Sequence, residues 1–205
     1  MKKDEIEKLN KEIMSCKRCP LYSQKTNYVP GDGNPESKIM FIGEAPGREE
    51  DIQGKPFVGK AGQYLTYVIK NILEINREDV YITNVLKCRP PNNRDPEESE
   101  IRACSIWLER QLEIIQPEFI ITLGRHSTKW IFEFFGLKFQ SITKNRGKVY
   151  EVEKWGKRVK IIPTYHPAAV LYNNKLKDIF ESDFSLIKNI IKENKNKKTI
   201  LDYMK

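Results

Sequence analysis

Apolar residues fall along this chain in two rhythms: short unbroken runs, and stripes at helical spacing. Residues 38–43 (Lys-Ile-Met-Phe-Ile-Gly), 80–84 and 119–123 are short apolar runs bounded by polar or glycine residues, and they predict buried strands. Residues 148–152 and 158–163 flank Lys154-Trp155-Gly156-Lys157, which predicts a hairpin leading into a last core strand. Between these runs lie helical stripes: Ile6, Leu9 and Ile13; Leu65, Val68, Ile69, Ile72 and Leu73; Ile101, Leu108, Leu112 and Ile115. Asp95-Pro96-Glu97-Glu98 reads as a helix start, with Asp95 as N-cap, Pro96 at N1 and acids facing the positive end of the helix dipole. A further helix is expected from about Ser127 to Gly136, a short one after Pro167, and a longer one over 176–193. Residues between Gly43 and Gly59 are expected to form a polar loop.

Strands alternating with helices predict a three-layer α/β/α sandwich around a central, mostly parallel four-stranded sheet. In such sheets ligands bind beyond the carboxyl ends of the strands. Chemistry should therefore gather in the loops after Ile42, Asn84, Leu123 and Thr164. One domain is expected over residues 1–193, with 194–205 as a flexible basic tail; the 205 residues suffice for a substantial core.

Composition narrows the partners. The formal net charge is +8, which favours a polyanion because each Lys or Arg facing a phosphate can release a counterion. Part of that excess sits in the tail (Lys192, Lys195, Lys197, Lys198, Lys205), and a Lys- and Glu-rich chain also suits proteins of hot environments. No apolar run is long enough to span a bilayer, and the charged N-terminus does not resemble a secretion signal, so a cytoplasmic, nucleoid-associated monomer is expected.

The chain has four cysteines. Cys16 and Cys19 form a CxxC followed by Pro20; Cys88 comes just after a strand, and Cys104 lies on the next helix. Four converging thiolates can hold a 4Fe–4S cluster or a structural zinc ion. The long Pro-rich loop between Cys88 and Cys104 argues against a compact zinc knuckle, although spacing alone leaves both metals open. The lesser alternative for Cys104 is a buried core thiol.

The loop after the first strand reads Gly43-Glu44-Ala45-Pro46-Gly47-Arg48-Glu49-Glu50-Asp51, followed by Gly54-Lys55-Pro56-Phe57-Val58-Gly59-Lys60-Ala61-Gly62. Asn84 ends the second strand, and Tyr165-His166-Pro167-Ala168-Ala169-Val170-Leu171 follows the last. Together with the four cysteines, in this order from Cys16 to Leu171, these segments resemble the family 4 uracil-DNA glycosylases. The resemblance implies a monofunctional DNA-repair hydrolase carrying a 4Fe–4S cluster. Such an enzyme flips deoxyuridine out of single- or double-stranded DNA and cuts its N-glycosidic bond, leaving an abasic site.

That chemistry assigns roles. Phe57 can stack on the extruded base. Asn84 offers a donor and an acceptor that match uracil O4 and N3–H but mismatch cytosine. His166, by the resemblance, donates to uracil O2 as charge builds on the leaving base. Ala45 stands where better-known relatives in family 1 carry a water-positioning Asp, so Glu44 is the candidate for contacting uracil or orienting water. Gly43 and Ala45 complete the substrate loop, and Glu50 is expected at the wall that excludes the thymine methyl. Lys60, Lys87, Arg89 and Arg94 are expected to grip phosphates, and Val170 or Leu171, or Tyr172 beside them, to wedge into the vacated stack. His126 lacks such a context and is expected to be structural. Residues 197–204 resemble a degenerate sliding-clamp-binding peptide, with Ile200 as its plug and Tyr203-Met204 as its terminal pair.

Other readings explain less. Residues 54–61 nearly spell a phosphate-binding P-loop, but Ala61 replaces the Mg²⁺-binding hydroxyl and no hydrophobic strand precedes the loop. A zinc deaminase would need a histidine beginning H-x-E, which neither histidine does. A metal-stapled nucleic-acid-binding module without enzymatic activity leaves Glu44, Phe57, Asn84 and His166 as coincidence. Family 5 glycosylases typically carry an apolar residue where Glu44 stands.

Overall fold

The computed structural model describes the backbone of residues 1–203 and the side chains through 194. Six strands form one mixed sheet in the order β1-β3-β2-β4-β6-β5: β1 Asp32–Gly33, β2 Ile39–Gly43, β3 Tyr81–Asn84, β4 Phe119–Leu123, β5 Tyr150–Lys154 and β6 Lys157–Thr164. The four inner strands run parallel, as expected; β1 and β5 add antiparallel edges, so the sheet has six strands rather than four. A two-residue strand such as β1 carries no periodicity that a sequence could reveal.

Alternation along the inner strands divides the core in two. Met40, Ile42, Ile120 and Ile161 face α1 (Lys2–Ile13), α4 (Glu98–Ile115) and α5 (Arg125–Phe134). Phe41, Ile82, Ile121 and Ile162 face α3 (Lys60–Asn71) and α8 (Lys177–Tyr203). Three layers result. Short helices α2 (Arg48–Gln53), α6 (Ile142–Asn145) and α7 (Pro167–Tyr172) complete the chain. Helix α2 interrupts the segment expected to be all loop.

Helix α4 starts later than its sequence suggests. Glu97, not Asp95, is the N-cap: its backbone N–H donates to Glu100 Oε2 at 2.9 Å, closing a capping box. That releases the Asp95 side chain to face Arg125. Helix α8 continues past residue 193, where the tail was expected to begin. The side chains from residue 195 on, including those of the clamp-like segment 197–204, lie outside the described residues.

Register decides where the site forms. Gly43 pairs with Asn84 across β2 and β3, and Leu123 pairs with Thr164 across β4 and β6. All four inner strands therefore end at one level, and their following loops meet above it.

Candidate active site

A cavity of about 640 Å³ opens above those strand ends, lined among others by Glu44, Phe57, Asn84 and His166. This is within the usual size for a small-molecule site. Residues from loops far apart in sequence converge here as expected.

Two glycines make the convergence possible. A Cβ on Gly43 would lie 2.4 Å from Asn84 Oδ1 and 2.5 Å from Phe57 Cζ, so only a bare backbone lets the ring and the amide approach. A Cβ on Gly62, at the start of α3, would fall 1.9 Å from the Phe57 carbonyl carbon. Phe57 has a left-handed backbone (φ 51°), a costly conformation for a bulky residue. It is held there by two groups. Arg77 Nη1 donates to the Phe57 carbonyl at 2.9 Å, and Glu50 Oε1 accepts from the N–H groups of Val58 and Gly59, both at 2.9 Å. Glu50 lines the cavity, but its Oε1 is committed to shaping the Phe57 loop.

His166 caps α7. Its Nδ1 accepts from the Ala168 N–H at 3.1 Å, which leaves Nε2 as the nitrogen that carries the proton in the neutral ring. Burial pushes its pKa down to about 4, while Glu50 pulls weakly the other way. At neutral pH this imidazole is an uncharged donor. Its ring centroid lies 5.6 Å from that of Phe57, tilted by 30°.

Asn84 is buried, and its Oδ1 has no hydrogen-bond partner among the described residues. A buried amide oxygen without a partner costs free energy unless something else supplies a donor. Beside it, Glu44 is half-buried at the cavity mouth, and Ala45 lines the same loop. Burial raises the Glu44 carboxyl above its ordinary range, and Asp95 adds to the rise. His126 and Arg125 oppose it.

Four free thiols line a second, smaller cavity: Cys16 and Cys19 after α1, Cys88 just past β3 and Cys104 on α4. Burial raises the Cys88 thiol and takes Cys104 to about 11, and neighbouring cysteines push in the same direction. Ionising all four needs a cation among them. Two sulfurs already accept N–H donors: Cys16 from Trp107 Nε1 and Cys104 from the Lys87 backbone, each at 3.3 Å. The donor set fits a thiophilic metal group with four cysteine ligands.

The DNA-facing expectations divide. Lys60 is exposed at the first turn of α3, and Arg89 is hydrogen-bonded to Asn93 Oδ1 at 2.7 Å. Arg94 borders the cavity but is held by Glu100 in a two-pronged pair at 2.9 and 2.6 Å. Lys87 is a correction: it is 1% exposed, and its ammonium bonds to Thr83, Asn84 and Gln111 inside the core, out of reach of a phosphate. Val170 is another, because it packs into the α3–α8 core at 4% exposure. Its neighbours Leu171 and Tyr172 are 50% and 92% exposed and remain available for a wedge.

His126 was not anticipated at the site. It stands on the first turn of α5, with Nε2 3.8 Å from Glu44 Oε2. Nothing local in the sequence marks that proximity.

The site lies beyond the carboxyl ends of parallel strands, where α/β sheets bind ligands, and comparison with known proteins gives the class. Residues 30–192 match the model of the uracil DNA glycosylase superfamily, and the chain belongs to that superfamily, within its type-4 branch. It is similar to the "Type-4 uracil-DNA glycosylase" of Sulfurisphaera tokodaii, with 57% identity over 91% of this chain and 85% of that protein. The protein of the same description from Archaeoglobus fulgidus is 53% identical over 98% of this chain and its own full length. That of Saccharolobus solfataricus is 54% identical over 90% and 86%.

Proposed function

We propose that this protein removes uracil from DNA by hydrolysing the N-glycosidic bond of an extruded deoxyuridine, leaving an abasic site. One observation carries the reading: the unpartnered, buried Oδ1 of Asn84, lining a cavity shared with an aromatic ring and a neutral histidine.

In this reading Asn84 accepts the N3–H of uracil and donates to O4; cytosine presents the opposite pattern at these positions and is refused. Phe57 supplies a stacking face. As the glycosidic bond lengthens, negative charge grows on the base, and the Nε2–H of His166 donates to O2. Because the ring is neutral, it stabilises that charge by a hydrogen bond and keeps its proton. Glu44 orients the water that attacks the sugar. Leu171 and Tyr172 fill the gap in the stack, and Lys60 and Arg89 contact phosphates.

The cysteine site would hold a 4Fe–4S cluster through Cys16, Cys19, Cys88 and Cys104, which would supply a structural clasp and no step of the reaction. The long Pro-rich loop between Cys88 and Cys104 supports iron–sulfur over a compact zinc knuckle. Residues 197–204 would tether the enzyme to a sliding clamp, raising its effective concentration on DNA.

The test is incubation with a uracil-containing oligonucleotide followed by alkali. Breaks are expected at uracil and not at cytosine or thymine, and Asn84→Asp should erase that preference. Intact strands with wild-type protein would refute the assignment; a colourless, zinc-loaded protein would refute the cluster alone.

A further inference from the structure

Four charged or chargeable groups meet around Glu44, the one of them that lines the cavity. Arg125 and His126 occupy the first turn of α5, Asp95 precedes α4, and Glu44 follows β2. Arg125 Nη2 lies 2.8 Å from Asp95 Oδ2 and 3.0 Å from His126 Nε2. That same Nε2 lies 3.4 Å from Asp95 Oδ2 and 3.8 Å from Glu44 Oε2.

Electrostatics give the cluster a direction. Glu44 and His126 are mostly shielded, with side chains 27% and 18% exposed, whereas Asp95 is 69% exposed. A shielded carboxylate beside a second carboxylate tends to take up a proton. Arg125 neutralises the outer acid. His126 lies within 4 Å of both acids. Its Nε2 accepts from Arg125 when it carries no hydrogen, and donates to a carboxylate when it carries one. The other charged groups facing the cavity are Arg48, Glu49, Lys60, Arg94, which is paired with Glu100, and Glu50, which is tied to the Phe57 loop.

We propose that His126 is a positioning residue for the glycosylase reaction, anchored by Asp95 and holding the ionised Glu44 carboxylate at the cavity mouth for the attacking water. This rests on the role given to Glu44 above. It assigns His126 no contact with the base.

Single-turnover cleavage of a uracil oligonucleotide across pH tests it, using wild type, His126→Ala, His126→Gln and Glu44→Gln, with denaturation midpoints in parallel. Without His126 the carboxylate should lose its charge at higher pH. His126→Ala should then fall about tenfold below wild type at the acid end of the profile and regain most of that loss at the alkaline end. His126→Gln, which keeps a donor, should fall between the two. A His126→Ala profile that superimposes on wild type would overturn the assignment, as would an equal loss at every pH with a lowered midpoint. Glu44→Gln as fast as wild type would overturn the Glu44 role and this inference together. Glu44→Gln slow, with His126→Ala unchanged, would overturn this inference alone.

Discussion

The ammonium of Lys87 sits 2.6 Å from the carbonyl oxygen of Asn84, deep in the core, while the backbone N–H of the same lysine points to Cys104 Sγ at 3.3 Å. One residue thus joins the cysteine site to the strand end that carries the Asn84 amide. Nζ also donates to Thr83 Oγ1 at 2.7 Å and Gln111 Oε1 at 2.8 Å. Burial lowers its pKa to about 7, so much of the cost of enclosing a full charge is avoided. Lys87→Met keeps the stem and strands these acceptors, of which Thr83 and Gln111 can still pair with each other. A loss of about 2 kcal/mol is expected in chemical denaturation. An unchanged midpoint would mean the amine contributes nothing.

His166 makes stability depend on pH. Its folded pKa is about 4, below the roughly 6.5 of a free imidazole. Between these values the unfolded chain binds the extra proton, so stability falls as pH drops from about 6.5 towards 4 and is fully present above that window. The loss should reach about 2–3 kcal/mol. His166→Asn should flatten this part of the curve, and it should slow base release far more than it weakens DNA binding. Parallel curves for wild type and variant would contradict the buried neutral ring.

Gly43→Ala places a methyl where Phe57 and Asn84 now touch the backbone. The fold should survive, since the ring can swing towards the cavity. The base slot should not. A fall in kcat/KM of about 100-fold is expected, equivalent to about 2.7 kcal/mol of transition-state stabilisation. Full activity would show that the slot tolerates a displaced ring.

Removing the proposed cluster should loosen more than the cysteines. Cys16 and Cys19 follow α1, whereas Cys88 and Cys104 flank the loop that carries Arg89 and Arg94. Cys88→Ser, or extraction by a strong chelator, should abolish visible absorption, lower the melting temperature and speed proteolysis within residues 88–97. A chelated protein as resistant as the native one would show that packing alone fixes this loop.

The buried strands were legible because their apolar runs end at Gly43, Asn84, Leu123 and Thr164, and parallel pairing then placed those ends together. Phe57, Asn84 and His166 follow from that placement. Lys87 did not, because alternation stops at the end of β3 and nothing in the sequence says which way the next turn points. Val170 and Leu171 differ by a single helical step, which separates core from solvent in α7. Two signals in the sequence pointed elsewhere. Asp95 looked like a cap until Glu100 supplied the tighter box, and His126 looked structural because Glu44, its neighbour in space, lies on a distant loop.

The borders of the sheet bear on how the protein behaves when many copies crowd along one nucleic acid. On one side β1 offers only two residues to an incoming strand, and on the other β5 presents Glu151, Glu153 and Lys154. Charge and brevity both discourage a neighbour from extending the sheet. Copies concentrated by the polyanion can therefore search side by side without fusing edge to edge.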